Sequence, residues 1–186
     1  MKEEVMPRST RALLLVPLIV FVVATFFGLG YLVTLILRVP FSLGLALPIR
    51  LLGMPLLASG FLFFGWIFRY RRAVDILVST YVTLSKVRRG TLLEGRLGRT
   101  EPLLIQGPYK YVRHPLYFGV VVIVLGWWLL LDCSFLLVSA MFLLLWFNFV
   151  VASFEEKELK AIFGEQYQQY TKEVPKMIPF TKRGKR

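Results

Sequence analysis

The stretch GPYKYVRHPLYFG, residues 107–119, contains the chain's single histidine. His114 stands between Arg113 and Pro115, with Tyr109, Tyr111 and Tyr117 close by, where a polar segment gives way to an apolar one. A second charged pair, Glu155 and Glu156, closes the apolar stretch from Pro115 to Phe154, in which Asp132 and Asn148 are the only strongly polar side chains. Guanidinium, imidazole and carboxylate groups placed this way can hold a charged ligand, the cationic groups and helix amides taking an anion such as a carboxylate and the glutamates a cation. Pro115 suits the first turn of a helix, so His114 falls near an N-cap whose free amides attract anions. One cysteine in the whole sequence excludes an intrachain disulfide and a multi-cysteine metal site, and no metal is expected.

Each residue also has a plain structural role open to it. Arg113 and His114 can snorkel at a membrane surface. Glu156 can face Lys160 at i,i+4 on a solvated helix, and the tyrosines can be ordinary interfacial aromatics. Asn148 can bond across a helix interface, and Asp132 is expected in an exposed turn.

The elements that must position these groups are membrane helices. At 56% hydrophobic residues the 186-residue chain is too apolar for an ordinary soluble domain. Stretches near 12–37 and 45–68 each supply the roughly 20 apolar residues that a crossing needs. Residues 115–154 are too long for one crossing and right for two, turning at Asp132-Cys133-Ser134. The fold class is therefore an all-α integral membrane protein with about four spans. The first apolar run is longer than a signal-peptide core and lacks a clear cleavage site, so it reads as a retained span.

If the hairpin turns at Asp132, His114 and the two glutamates return to the same membrane boundary, offset by roughly 8 Å at 1.5 Å per residue. Small residues at Gly28, Gly30, Gly53, Gly60 and Gly65 can let helices approach, and Thr25, Thr34 and Ser59 can bond to their own backbones. Between the second and third spans, AVDILVSTYVTLSKVRRG reads as a helix lying in the interface, followed by an irregular loop over 90–106. In the tail a helix stops at Gly164 and a second, short one follows. This gives three regions: a two-span scaffold at 1–68, a cytoplasmic or interfacial segment at 69–106, and a helical hairpin with its tail at 107–186, the region that holds the candidate catalytic residues.

The formal net charge is +12, and with four spans 21 of the 23 Lys and Arg residues fall on one side. The positive-inside rule then places both termini and the middle segment in the cytoplasm. Anionic lipid headgroups account for basic residues next to spans, so a nucleic-acid partner is not expected.

Taken together, Arg-His-Pro-x-Tyr at 113–117, a helical hairpin, and EEKELKAIFGEQYQQYTKEVPKMIPF at 155–180 resemble the integral-membrane methyltransferases typified by isoprenylcysteine carboxyl methyltransferase, with the phospholipid methyltransferases as cousins. The resemblance runs from about Glu101 onward. It implies S-adenosyl-L-methionine as methyl donor in a cytoplasm-facing pocket. Residue by residue, it implies cofactor contacts at Glu101, Pro102, Leu103, Leu104, Tyr109, His114, Pro115, Leu116, Tyr117 and Glu155, with Arg113 and Glu156 as candidate catalytic groups. Where the carboxyl methyltransferases of the family resemble one another in an arginine a turn before the glutamates, this sequence has Val151. The implied partner is a lipophilic or prenylated acceptor, most like isoprenylcysteine carboxyl O-methylation, with a phospholipid amine or a thiol as alternatives. A non-catalytic membrane scaffold is the reading from another class. The absence of a strand-linked GxGxxG argues against the soluble, dinucleotide-fold type of methyltransferase.

Overall fold

The computed structural model describes residues 8–78, 102–179 and 181. Among these residues there are only helices, turns and irregular segments, with no strand. Helix α1 spans Arg8–Ile36, α2 Leu47–Leu51 and α3 Gly53–Tyr70. After a short 3-10 turn at Gly107–Lys110 come α4, Pro115–Leu131, and α5, Ser134–Trp146. A π turn, Phe147–Val151, joins α5 to α6, Ala152–Phe163; Gly164 then turns the chain into α7, Glu165–Glu173.

Three stretches are long and apolar enough to cross a membrane: Leu15–Ile36, Leu47–Tyr70 and Ser134–Phe163. The apolar helix α4 is shorter, at 17 residues, about 25 Å of helix and the lower end of what a crossing needs. The protein is an all-helical integral membrane protein, and its last two apolar helices form a hairpin turning at Asp132 and Cys133. Exposed Leu, Val, Ile and Phe side chains along α1 and α3 present the outer surface that lipid solvates.

With lipid as apolar as the side chains, close packing must hold such helices together. Glycine provides it at two seams. On α3 against α4, a Cβ at Gly53 would lie 2.6 Å from the Gly126 carbonyl oxygen, and one at Gly60 2.6 Å from Ile123. On α1 against α5, a Cβ at Gly30 would collide with the Ser139 hydroxyl. Gly28 and Gly65, expected to serve the same purpose, face open space instead. Thr25, Thr34 and Ser59 hydrogen-bond to carbonyls of their own helices.

Asp132 corrects an expectation: it is buried, not exposed. It caps α4 in the left-handed conformation (φ 54°). Its carboxylate accepts hydrogen bonds from the Ser42 hydroxyl and from the amides of Leu43 and Leu45, each at 3.1 Å. The Ser134 hydroxyl donates to the Pro40 carbonyl and the Arg50 Nε to the Leu130 carbonyl. The α1–α2 connection is thereby latched across the hairpin turn, and the Ser42 bond foremost lowers the Asp132 pKa. Such partners come from residues far away in sequence.

Of the expected interfacial helix, residues 73–78 are helical; Tyr81, Val82 and Leu84 lie outside the described residues. Most of the 90–106 loop, Glu101 included, also lies outside them, and 102–105 is irregular.

Candidate functional site

Pro115 occupies the first turn of α4, where its missing N–H costs nothing, and His114 is the N-cap. The tail fixes the approach to this helix: the Arg113 amide donates to the Pro175 carbonyl at 3.0 Å and the His114 amide to that of Lys176 at 3.1 Å. Tyr167, Tyr170 and Val174 form a buried cluster against Leu103, Ile105, Leu159 and Phe163. The Tyr170 hydroxyl donates to the Tyr109 carbonyl at 2.6 Å. The tail thus holds the 103–105 segment and the 3-10 turn in place around the end of α4.

The two halves of the hairpin meet at His114. Its Nδ1 lies 3.2 Å from Glu155 Oε2 and its Nε2 3.3 Å from Glu156 Oε1. Arg113 Nη1 is 2.6 Å from that same Glu156 oxygen, and the Tyr117 hydroxyl donates to Glu155 Oε1 at 2.6 Å. Three nearly parallel rings back the polar cluster: Tyr117 stacks on Phe147 with centroids 4.6 Å apart, and His114 lies over Tyr117 at 5.7 Å. Glu156 therefore faces inward to Arg113 and His114 rather than lying on a solvated face toward Lys160.

His114 is 5% exposed. Burial disfavours the charged imidazole, but the hydrogen bonds to Glu155 and Glu156, aided by their charge, outweigh it and raise the pKa above the ordinary value. The cluster thus favours an imidazolium between two carboxylates, with Arg113 as a second cation. Burial, reinforced by the Glu156 charge, pushes the Tyr167 phenol well up, so it remains a neutral donor.

A cavity of about 470 Å³ opens beside this cluster, a volume suited to a small organic ligand. Pro102, Leu103, Leu104, Tyr109, Arg113, His114, Pro115, Leu116, Tyr117 and Glu155 all line it, so ten of the residues singled out in the sequence converge on one space. Glu156 sits behind, on Arg113 and His114. Sequence reasoning missed the part of the lining formed by the end of α3 and the residues just after it, with Arg69, Arg71 and Arg72, and by the tail's Tyr167 and Tyr170. The spaced tyrosines of the tail were the available signal. Three buried donors have no hydrogen-bond partner among the described residues: Arg113 Nε and the Tyr167 hydroxyl, both of residues that line the cavity, and the Trp128 indole N–H on α4, outside it. Buried donors left this way are costly, and the two at the cavity are open to a ligand's acceptors.

A membrane-helix hairpin with a charged cavity at one end defines the class, and the comparisons give the family: residues 49–166 match Phospholipid methyltransferase. The chain belongs to that family. It is 41% identical over 78 residues to the Protein-S-isoprenylcysteine O-methyltransferase of Schizosaccharomyces pombe, covering 41% of this chain and 33% of that protein. To the Methanethiol S-methyltransferase of Crocosphaera subtropica it is 37% identical over 86 residues, 42% of this chain and 31% of the relative. To the Protein-S-isoprenylcysteine O-methyltransferase B of Arabidopsis thaliana it is 32% identical over 90 residues, 48% and 45%. The matched stretch thus spans less than half the length of each of these relatives. No solved structure gives a significant match.

Proposed function

We propose that this protein is an S-adenosyl-L-methionine-dependent methyltransferase acting on a lipophilic acceptor at the membrane. The observation that supports it most is His114 held between Glu155 and Glu156 on the wall of a cavity at the end of an apolar hairpin. Family membership and the names of the relatives point the same way.

The residues present fit the donor. S-adenosyl-L-methionine supplies an activated methyl group on a sulfonium, so the protein needs to position, desolvate and balance charge rather than provide a covalent nucleophile. Glu155, with Glu156 behind it, places negative charge beside the cavity, which complements a sulfonium or ammonium and can accept from hydroxyls. Arg113, the Tyr167 hydroxyl and the free amides at the start of α4 form the opposite pole, suited to a carboxylate. Pro102, Leu103, Leu104, Tyr109, Pro115, Leu116 and Tyr117 supply apolar and aromatic surface for the rest, and Glu101 completes the set by family resemblance. Of the two candidate catalytic residues, Arg113 lines the cavity and Glu156 stands behind it, where it positions Arg113 and His114.

In this reading the apolar helices deliver the acceptor laterally from the bilayer while the water-soluble donor enters from the cytoplasm. The distribution of basic residues supports a cytoplasmic cavity and cytoplasmic termini. Residues 1–68 serve as scaffold, 69–106 as the interfacial segment and 107–186 as the catalytic unit. The favoured acceptor is a prenylcysteine carboxylate. A thiol or a phospholipid amine is the second reading, favoured by Val151, which puts an uncharged side chain in the turn before the glutamates.

The test is transfer of labelled methyl from S-adenosyl-L-methionine to a panel containing a prenylcysteine, a long-chain thiol and phosphatidylethanolamine, with the purified protein in mixed micelles. Labelling of one acceptor supports the proposal and assigns the substrate. Labelling of none by a folded protein that also fails to bind the donor overturns it.

A further inference from the structure

The π turn at Phe147–Val151 interrupts an otherwise continuous helix from Ser134 to Phe163. Bonding i to i+5 adds a residue to the turn, and π turns gather at functional sites. Here the Asn148 carbonyl accepts from the Ser153 hydroxyl at 3.2 Å and from the Lys176 ammonium at 2.5 Å. The same ammonium donates to the Ser153 hydroxyl at 2.9 Å.

Lys176 lies in the irregular stretch after α7, and its own carbonyl accepts the His114 amide. One residue therefore holds both halves of the site. Its main chain fixes the histidine, and its side chain fixes the helix that presents Glu155 and Glu156. At the head of the π turn, Phe147 stacks on Tyr117, which in turn bonds to Glu155. Loss of the extra residue in the π turn would rotate the following helix by about 100°, enough to swing both carboxylates away from His114.

We infer that Lys176 is a positioning residue: by clamping the Asn148 carbonyl and the Ser153 hydroxyl, it sets the register at which Glu155 and Glu156 meet His114. The inference rests on the methyltransferase reading for its ligand, although its geometry does not. Burial lowers the pKa of this lysine, with the Glu156 charge acting against that shift.

The experiment compares the full chain with Lys176→Met, Lys176→Arg and, as a control for net charge, Lys172→Met on the exposed side of α7. Two quantities are read: calorimetric affinity for S-adenosylhomocysteine, and the ring signal of the single histidine by NMR without ligand. The expected result is affinity lowered about tenfold or more in Lys176→Met, with the loss of a charged hydrogen-bond donor, and a displaced histidine signal. Lys176→Arg recovers both, and Lys172→Met changes neither. Unaltered affinity and histidine signal in a folded Lys176→Met overturn the inference. If Lys176→Met does not fold, Ser153→Ala takes its place, with a smaller loss expected and no change overturning the inference. Failure of the wild-type protein to bind S-adenosylhomocysteine counts against the functional reading alone, because the histidine signal still decides the role of Lys176.

Discussion

The imidazole Nδ1 of His114 lies 3.2 Å from Oε2 of Glu155, although along the chain one residue precedes a helical hairpin and the other follows it. That contact, with its counterpart at Glu156, ties the start of one apolar helix to the end of the next. It also places two carboxylates beside the cavity that Arg113 and His114 line.

Truncating this pair is expected to weaken ligand binding without unfolding the protein. His114→Ala and Glu155→Gln should each lower S-adenosylhomocysteine affinity by roughly 10- to 100-fold, the scale of a lost charged hydrogen bond. Isothermal calorimetry gives the affinity, and a melting curve in the same detergent checks folding.

Tyr117→Phe separates two contributions of one side chain. It removes the hydroxyl bonded to Glu155 but retains the ring that stacks on Phe147. The expected outcome is a melting point close to wild type with affinity reduced by about threefold to tenfold. A large loss of stability would show that the hydroxyl matters mainly to the fold.

The histidine itself offers a pH test. Its pKa is raised in the folded protein because the two carboxylates outweigh burial. By linkage, a raised folded value contributes stability that is fully present below the unfolded value of about 6.5 and is lost as pH rises through the folded value. NMR titration of the single histidine should therefore show a midpoint above about 6.5 in the wild type, and Glu156→Gln should bring it down. A wild-type midpoint below that value would contradict the charge arrangement.

The α3–α4 seam can be tested apart from the site. Gly53→Val places new atoms against the Gly126 carbonyl and Leu130, and overpacking of this kind costs about 1–3 kcal/mol. Thermal denaturation should register the loss. The same change at Gly65, where a Cβ meets nothing within 4 Å, should leave the melting point nearly unchanged.

Much of this architecture is legible in the amino-acid order because lipid imposes a length and composition on every span. The turn at Asp132, the N-cap at His114, the helix break at Gly164 and the short helix after it follow from local chemistry. So does the meeting of His114 with the glutamates, since a hairpin returns both to one end. Other features depend on partners remote in sequence. Asp132 looks like a solvated turn residue until the 42–45 segment folds over it. FNFVV reads as ordinary apolar helix, and nothing in its composition marks a π turn. That turn changes the rotation of the glutamates about the helix axis, which a straight-helix count does not foresee. Lys176 is invisible for the same reason, as its targets are a backbone carbonyl and a serine on another element.

The most direct measurement is calorimetric binding of S-adenosylhomocysteine to the detergent-purified protein, with NADPH as control. Saturable binding of S-adenosylhomocysteine and none of NADPH is the predicted result. Binding of neither by protein shown to be folded, or of NADPH alone, would contradict the assignment of this cavity to a methyl donor.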